Sequence, residues 1–184
     1  MQPNDDLYTP ILQRKKLYSG KYLKLERIEV RLPNGRSGIR EIVKVKNAVA
    51  ILPVDSARNV YLVRQYRPAI RRTIVEIPAG IIDSGEGART CALRECEEET
   101  GYKPEVLTEL ITYAHAEGYS TGFITLFLGM QLKHTGGVCL DETEFIEPVS
   151  MPFDELLKKV KSNYFVDSKT ILAALLSEKI IANM

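Results

Sequence analysis

The sequence lacks the features that would place the chain in a membrane, in a disulfide-linked secreted scaffold or on a nucleic acid. No apolar run approaches the roughly 18 residues that a membrane span requires. The three cysteines, Cys91, Cys96 and Cys139, are an odd number without metal-type spacing, so we expect free thiols in a reducing cytoplasm. A formal net charge of +1 argues against nucleic acid as the main partner. The polar, acidic start MQPNDDLYTP does not resemble a secretory signal, so we expect a cytoplasmic protein.

The chain does have the length and composition for one globular domain with a small appendage, at 184 residues and 45% hydrophobic content. Alternating and apolar runs predict strands at 21–31, 37–46, 48–54, 59–66, 74–78, 107–114, 122–132 and near 145–149. Helices are predicted from about Gly87 to Thr100, after Pro152, and after Ser168 as N-cap. This order indicates an α/β or α+β layered fold with a mixed sheet.

The first part of the chain is predicted to form a subdomain of its own. Its two strands flank the hairpin signal LPNG at 32–35, where Asn-Gly tolerates positive φ. We expect residues 1–46 to form an N-terminal β-sheet subdomain and residues 47–184 to form the main domain. An isolated two-stranded hairpin is marginal in water, so these strands need a partner sheet.

An acidic stretch, GIIDSGEGARTCALRECEEETGY at residues 80–102, carries a local charge of −4. On a helix, Glu95, Glu98 and Glu99 share one face. Arg94 lies one turn before Glu98, where the two side chains can pair. The three glutamates repel one another, and the partial negative charge of a helix C-terminus makes their placement costlier still.

The position of these glutamates in the last turn is indicated by Gly101, which fits the residue that follows a helix. Glu97 points nearly the opposite way and reads as a solvated side chain. A divalent cation such as Mg²⁺ would offset the clustered charge, because hard cations prefer carboxylate, water and phosphate oxygens. The pattern therefore predicts a metal site at the end of this helix.

The spacing of the stretch resembles the Nudix box. Its glycine and charged positions are filled by Gly80, Glu86, Arg94, Glu95, Glu98, Glu99 and Gly101, and its apolar positions include Cys96 and Tyr102. The segments GKYLKLERIEVRLPNG, ILPVDSARNVYLVRQYRPAI and IVEIPAGIID extend the likeness to the ADP-ribose pyrophosphatase branch of the Nudix hydrolases.

The resemblance implies a Nudix α/β/α sandwich with a mixed sheet, an added N-terminal antiparallel β-sheet, and a homodimer that shares this sheet. It also implies hydrolysis of ADP-ribose or a related nucleoside diphosphate sugar to a nucleoside monophosphate and a sugar phosphate. The implied cofactor is Mg²⁺, two or three ions per site, with Mn²⁺ able to replace it.

The same resemblance assigns roles to individual residues. The implied metal ligands are Glu95, Glu98, Glu99 and the backbone carbonyl of Ala79, and the implied structural positions of the box are Gly80, Glu86, Arg94 and Gly101. A catalytic base is expected from the later acidic loop, with Glu144 favoured, Glu142 as the alternative, and Glu98 as the next candidate.

Substrate contacts are implied for Arg67, Glu41, Arg40, Glu76 and Gly118. Arg67 matches an arginine directed at the substrate's phosphates, a task that suits a planar guanidinium. Arg40 stands where some relatives stack adenine on tryptophan, and this chain has no tryptophan. Glu117-Gly118 replaces the Pro-Gly of many ADP-ribose members, so a broader nucleoside diphosphate sugar hydrolase fits about as well.

Two alternatives remain open at this point. One is a non-catalytic Nudix domain that senses a ligand, which would not need Glu95, Glu98 and Glu99 and usually carries an extra domain. The other is a Nudix pyrophosphatase for nucleoside triphosphates or dinucleotides. The long N-terminal segment and the IVEIPAG stretch favour the sugar nucleotide hydrolase.

Overall fold

The structure, a computed structural model, describes residues 6–136 and 145–184. It divides into two compact units. The first unit comprises Met1–Asn47 and Ala114–Phe123, and the second comprises Ala48–Tyr113 and Ile124–Met184. The structure thus groups the connection at 114–123 with the N-terminal residues.

The first unit contains an antiparallel sheet in the order β1–β2–β3. Its strands are β1 (Ile11–Ser19), β2 (Lys24–Arg31) and β3 (Ser37–Lys44). The predicted hairpin between β2 and β3 is confirmed, but of the Asn-Gly pair only Gly35 has a positive φ, of 82°. The strand β1 was missing from the sequence prediction. All nine of its residues are exposed, so it shows no alternation of apolar and polar side chains.

The second unit contains the remaining strands and helices. They are β4 (Ala48–Pro53), β5 (Asn59–Arg67), β6 (Arg72–Glu76), β7 (Ala79–Ile81), α1 (Ala88–Thr100), β8 (Tyr102–Ala114), β9 (Phe123–His134), β10 (Ile146–Pro152), α2 (Phe153–Lys161) and α3 (Ser168–Ala182). Only the end residues Ala114 of β8 and Phe123 of β9 belong to the first unit. The strand order is β7–β4–β9–β8 in one sheet and β10–β5–β6 in another. Because β4 pairs antiparallel with β7 and parallel with β9, the predicted mixed sheet is confirmed.

The central strand β4 is buried on both faces, as expected for a strand covered by helices on either side. Ala50 and Leu52 contribute to a core that also contains residues of α2 and α3. Val49 and Ile51 alternate with them and belong to a second core that contains residues of α1. The sheet therefore lies between helical layers, which confirms the predicted sandwich.

Several predicted boundaries were wrong by two or more residues, and the short strand β7 was not predicted. The strand β8 begins at Tyr102, directly after the end of α1, and not at residue 107, because the polar residues at its start hide the strand pattern. The N-cap of α3 is Asp167 and not Ser168, because the Asp167 side chain accepts the hydrogen bond from the Thr170 backbone N–H at 3.0 Å. Within residues 6–136 and 145–184, no helix is both long enough and apolar enough to span a membrane.

Candidate active site

The helix α1 presents the acidic stretch on a fixed frame. It begins after Gly87 and ends at Gly101, whose φ of 75° lies in the left-handed region that favours glycine. The Gly101 backbone N–H donates to the carbonyl of Glu97 at 2.9 Å. The predicted helix end is confirmed. No basic residue occupies the last turn of α1, so the positive charge that offsets its glutamates comes from residues outside that turn.

The buried face of α1 is apolar and includes both of its cysteines. Cys91, Ala92 and Cys96 are fully buried in the core that contains Val49 and Ile51. Burial raises the pKa of both thiols to about 12. Both are free cysteines, as expected, and their protonated, buried thiols are unsuited to nucleophilic catalysis. Cys139 lies outside the described residues.

Arg94 binds three carboxylates with one guanidinium group. Its Nε and Nη2 donate to the two oxygens of Glu86, each at 3.0 Å. Its Nη1 donates to Glu95 at 2.7 Å and to Glu98 at 3.0 Å. The predicted pairing of Arg94 with Glu98 across one helical turn is confirmed. Hydrogen bonds from Arg94 and from the Asp83 backbone N–H lower the pKa of Glu86 to about 2.

The strand β7 brings backbone against the carboxylates of Glu95 and Glu99. The Ala79 backbone N–H donates to Glu99 Oε2 at 3.1 Å, and Glu99 is buried. A Cβ atom added to Gly80 would lie 1.9 Å from the carboxylate of Glu95. Only glycine at this position leaves room for that carboxylate, which explains the glycine that opens the acidic stretch. We call Arg94, Glu86, Glu95, Glu98 and Glu99 the Arg94 cluster.

The Arg94 cluster has the donor chemistry for a hard divalent cation, because its ligand atoms are carboxylate oxygens. In residues 6–136 and 145–184, however, no group of three His, Cys, Asp or Glu side chains is arranged to hold a metal ion. Arg94 engages Glu95 and Glu98, while Glu99 accepts from the backbone of Ala79. Metal binding by all three glutamates therefore requires their carboxylates to converge more closely than they do here.

A second set of charged side chains lies on β5, β6 and the start of α3. Glu76, only 1% exposed, accepts from Arg67 Nε at 2.7 Å and is also paired with Lys169 Nζ. Lys169 Nζ also donates to Asp167 at 2.9 Å. We call Arg67, Glu76, Asp167 and Lys169 the Glu76 network. Asp167 and Lys169 were not predicted from the sequence, because a lysine at the start of a helix is usually solvent-exposed.

The other predicted substrate residues, Arg40, Glu41 and Gly118, belong to the first unit. Glu41 accepts from Arg27 Nη2 at 3.1 Å, and Arg40 Nη1 donates to the carbonyl of Ile39 at 2.8 Å. A Cβ atom added to Gly118 would meet open space. The two base candidates, Glu142 and Glu144, lie outside the described residues.

A comparison with protein families decides the identity. The model of the NUDIX domain family matches residues 44–173, which is more than half of the chain. The chain belongs to the Nudix family. The acidic stretch on α1 is thus its Nudix box, and the chain is a Nudix hydrolase. Nudix hydrolases generally use a divalent metal.

Curated relatives of this Nudix hydrolase span nearly the same length. It is 39% identical over 163 residues to the ADP-ribose pyrophosphatase of Bacillus subtilis, covering 88% of each chain. It is also 39% identical over 163 residues to the methanol dehydrogenase activator of Bacillus methanolicus, again covering 88% of each chain. The crystal structure of an ADP compounds hydrolase superposes with a TM-score of 0.82 at 21% identity, covering 95% of each chain, and confirms the fold.

Proposed function

We propose that this Nudix hydrolase cleaves the diphosphate linkage of ADP-ribose or a related nucleoside diphosphate sugar, giving a nucleoside monophosphate and a sugar phosphate. The observation that carries the proposal is the placement of Glu95 and Glu99 against the β7 backbone, where Gly80 leaves room for a carboxylate. The likeness to an ADP-ribose pyrophosphatase along 88% of the chain supports the substrate class.

The proposed cofactor is Mg²⁺, two or three ions per site, with Mn²⁺ able to replace it. Glu95, Glu98, Glu99 and the carbonyl of Ala79 would hold the ions. When bound, a divalent cation neutralises phosphate oxygens and makes water a better nucleophile near neutral pH. Arg94 keeps the glutamates in position through its bonds to Glu95 and Glu98.

We assign the substrate's diphosphate to Arg67, whose side chain is 42% exposed. Glu76 is too deeply buried to offer the substrate much contact surface. We therefore propose that it lies in the wall of the site, behind Arg67. Arg40, Glu41 and Gly118 are proposed to contact the nucleotide. Their contribution is testable residue by residue through KM.

A substrate panel tests the proposed function. ADP-ribose, other nucleoside diphosphate sugars, dinucleotides and nucleoside triphosphates are incubated with the protein and Mg²⁺ or Mn²⁺, and the products are identified. We expect the fastest turnover with a nucleoside diphosphate sugar and a nucleoside monophosphate among the products. Fastest turnover of a triphosphate, with release of pyrophosphate, would contradict the proposal.

The proposed catalytic base is Glu144, which takes the proton from the attacking water. We expect Glu144→Gln to lower kcat by roughly 10²–10⁴-fold with little change in substrate affinity, because a general base acts on the chemical step. Glu142→Gln is the matched control two residues away. If Glu142→Gln loses activity and Glu144→Gln does not, the base is Glu142. If neither variant loses activity, this loop does not supply the base.

We also propose that the protein is a cytoplasmic homodimer joined through the β1–β2–β3 sheet. Exposed apolar side chains on β1, among them Ile11, Leu12 and Leu17, support such an interface. The free thiols of Cys91 and Cys96 fit a reducing compartment. Sedimentation at micromolar concentration tests the assembly, and a monomer under those conditions would exclude it.

A second candidate function follows from the other curated relative, which is named a methanol dehydrogenase activator. The identity of 39% is the same as that to the ADP-ribose pyrophosphatase. A methanol dehydrogenase assayed with and without this protein tests the candidate. Stimulation that survives the Glu99→Gln substitution would indicate an action independent of hydrolysis.

A further inference from the structure

The buried carboxylate of Glu76 lies between two cations from different elements. Arg67, on β5, binds its Oε1 through Nε, and Lys169, on α3, binds its Oε2. A carboxylate that is 1% exposed needs such partners, because an unpaired charge away from water is strongly destabilising. Both oxygens of Glu76 are therefore occupied, each by a different residue.

The position of Lys169 is unfavourable for α3 itself. It stands in the first turn of α3, where the helix dipole favours negative charge and opposes a cation. Its ammonium group is nonetheless held in place, by Glu76 on one side and by Asp167 Oδ1 at 2.9 Å on the other. Lys169 is 8% exposed, so it does not act as a solvated surface lysine. Its placement serves the contact with Glu76 rather than the stability of the helix.

This contact restricts how Glu76 can bind Arg67. A guanidinium and a carboxylate commonly form two parallel hydrogen bonds, which use both carboxylate oxygens. Here Lys169 occupies Oε2, and Arg67 makes a single bond of 2.7 Å through Nε. Among the described residues, Nη1 and Nη2 of Arg67 make no hydrogen bond or ion pair, although the guanidinium also interacts electrostatically with Glu99 and Asp167. The two outer nitrogens of the half-exposed Arg67 guanidinium can thus donate hydrogen bonds to an anion.

We propose that Lys169 is a positioning residue for substrate binding, which keeps Oε2 of Glu76 occupied and so leaves the outer nitrogens of Arg67 to the substrate's diphosphate. The proposal rests on the proposed function, since it takes Arg67 to bind that diphosphate. Without Lys169, Arg67 is the remaining cation of Glu76 and can turn its second nitrogen to Oε2.

The test measures kcat and KM separately, with the diphosphate substrate that the parent enzyme hydrolyses fastest. We expect Lys169→Met to raise KM by about tenfold, as for the loss of one hydrogen bond to a charged group, and to change kcat by less than about threefold. Lys169→Arg should restore KM, because its guanidinium can again occupy Oε2 of Glu76. Lys179→Met, in the last turn of the same helix, is the matched control and should leave KM unchanged.

A double-mutant cycle separates positioning from a general effect on the fold. In an Arg67→Met background, Lys169→Met should cause no further rise in KM, because the residue through which it acts is gone. If Lys169→Met does not fold, Lys169→Ser, which leaves room for water beside Glu76, takes its place with the same expectation.

Three results would overturn the proposal: an unchanged KM in the folded Lys169 variant, a KM that Lys169→Arg fails to restore, or an equal rise in KM with and without Arg67. A parent protein that hydrolyses no diphosphate compound would instead contradict the proposed function. The two failures are thus distinguished by the parent enzyme, before any variant is compared.

Discussion

The two charged sets of the second unit differ in their balance of charge. In the Arg94 cluster one guanidinium binds three carboxylates and Glu99 adds a fourth, whereas the Glu76 network pairs two carboxylates with two cations. A balanced, buried set can be satisfied by the protein alone. A set with surplus carboxylates at a helix C-terminus gains from an added cation. This difference supports our proposals that the Arg94 cluster receives a metal and that the Glu76 network holds the Arg67 side chain in place.

The largest expected effect is that of removing one surplus carboxylate. Glu99→Gln should lower kcat by about 10²–10³-fold, because charge stabilisation by a metal contributes several kcal/mol to the transition state. The free energy of unfolding should stay the same or rise by about 0.3–1 kcal/mol, since a repelling charge leaves the helix C-terminus. Steady-state kinetics and thermal unfolding measure the two effects.

The matched control is Glu97→Gln on the same helix. Glu97 is paired with Lys103 at 2.9 Å and takes no part in the Arg94 cluster. Its substitution should leave kcat within about twofold, as usual for an exposed ion pair of small energy. Equal losses in Glu97→Gln and Glu99→Gln would show that charge on α1, rather than one ligand, governs activity.

The sequence could predict most of the Arg94 cluster because all of its members except Glu86 lie close together on one helix. A fixed period of 3.6 residues brings Arg94 to Glu98 without any knowledge of the rest of the fold. In the Glu76 network, by contrast, Arg67 and Glu76 were predicted as site residues, but their contact with Asp167 and Lys169 was not. Lys169 and Glu76 are brought together by tertiary packing between α3 and β6, and nothing near Lys169 in the sequence indicates its burial. The fully exposed β1 likewise carries no period from which it could be predicted.

The next effect concerns the one cation of the Arg94 cluster. Arg94→Met removes a guanidinium that binds Glu86, Glu95 and Glu98, and should lower the free energy of unfolding by about 2 kcal/mol. Because the remaining carboxylates then repel one another without opposition, Mg²⁺ should raise the Tm of this variant more than that of the parent.

Arg89→Met is the control for Arg94→Met. Arg89 lies on the same helix and donates to the backbone carbonyl of Leu107 at 3.1 Å, and no carboxylate among the described residues pairs with it. Its substitution should leave the dependence of Tm on Mg²⁺ as it is in the parent. If Mg²⁺ raises the Tm of Arg94→Met and of the parent equally, the Arg94 cluster does not hold the surplus negative charge that we assign to it.

The smallest expected effect is a dependence of stability on acid pH in the metal-free protein. The pKa of Glu86 is lowered from 4.5 to about 2 in the folded state by its bonds with Arg94 and the Asp83 backbone. A lowered carboxyl pKa contributes stability that is present above the unfolded pKa and is lost as the pH falls through the folded one. Its loss should therefore lie between pH 4.5 and about pH 2.

Thermal unfolding as a function of pH measures this contribution. Glu86→Gln should be less stable than the parent near neutral pH, and the difference should shrink as the pH falls towards 2. A difference that stays constant over that range would mean that Glu86 contributes through packing and not through its charge.

The most direct test of the difference between the two sets is Mn²⁺ binding in the absence of nucleotide, followed by electron paramagnetic resonance. We expect the parent and Lys169→Met to bind Mn²⁺ with similar affinity, and Glu99→Gln to bind it at least about tenfold more weakly. This result would assign the metal to the Arg94 cluster alone. Undiminished Mn²⁺ binding by Glu99→Gln would contradict that assignment.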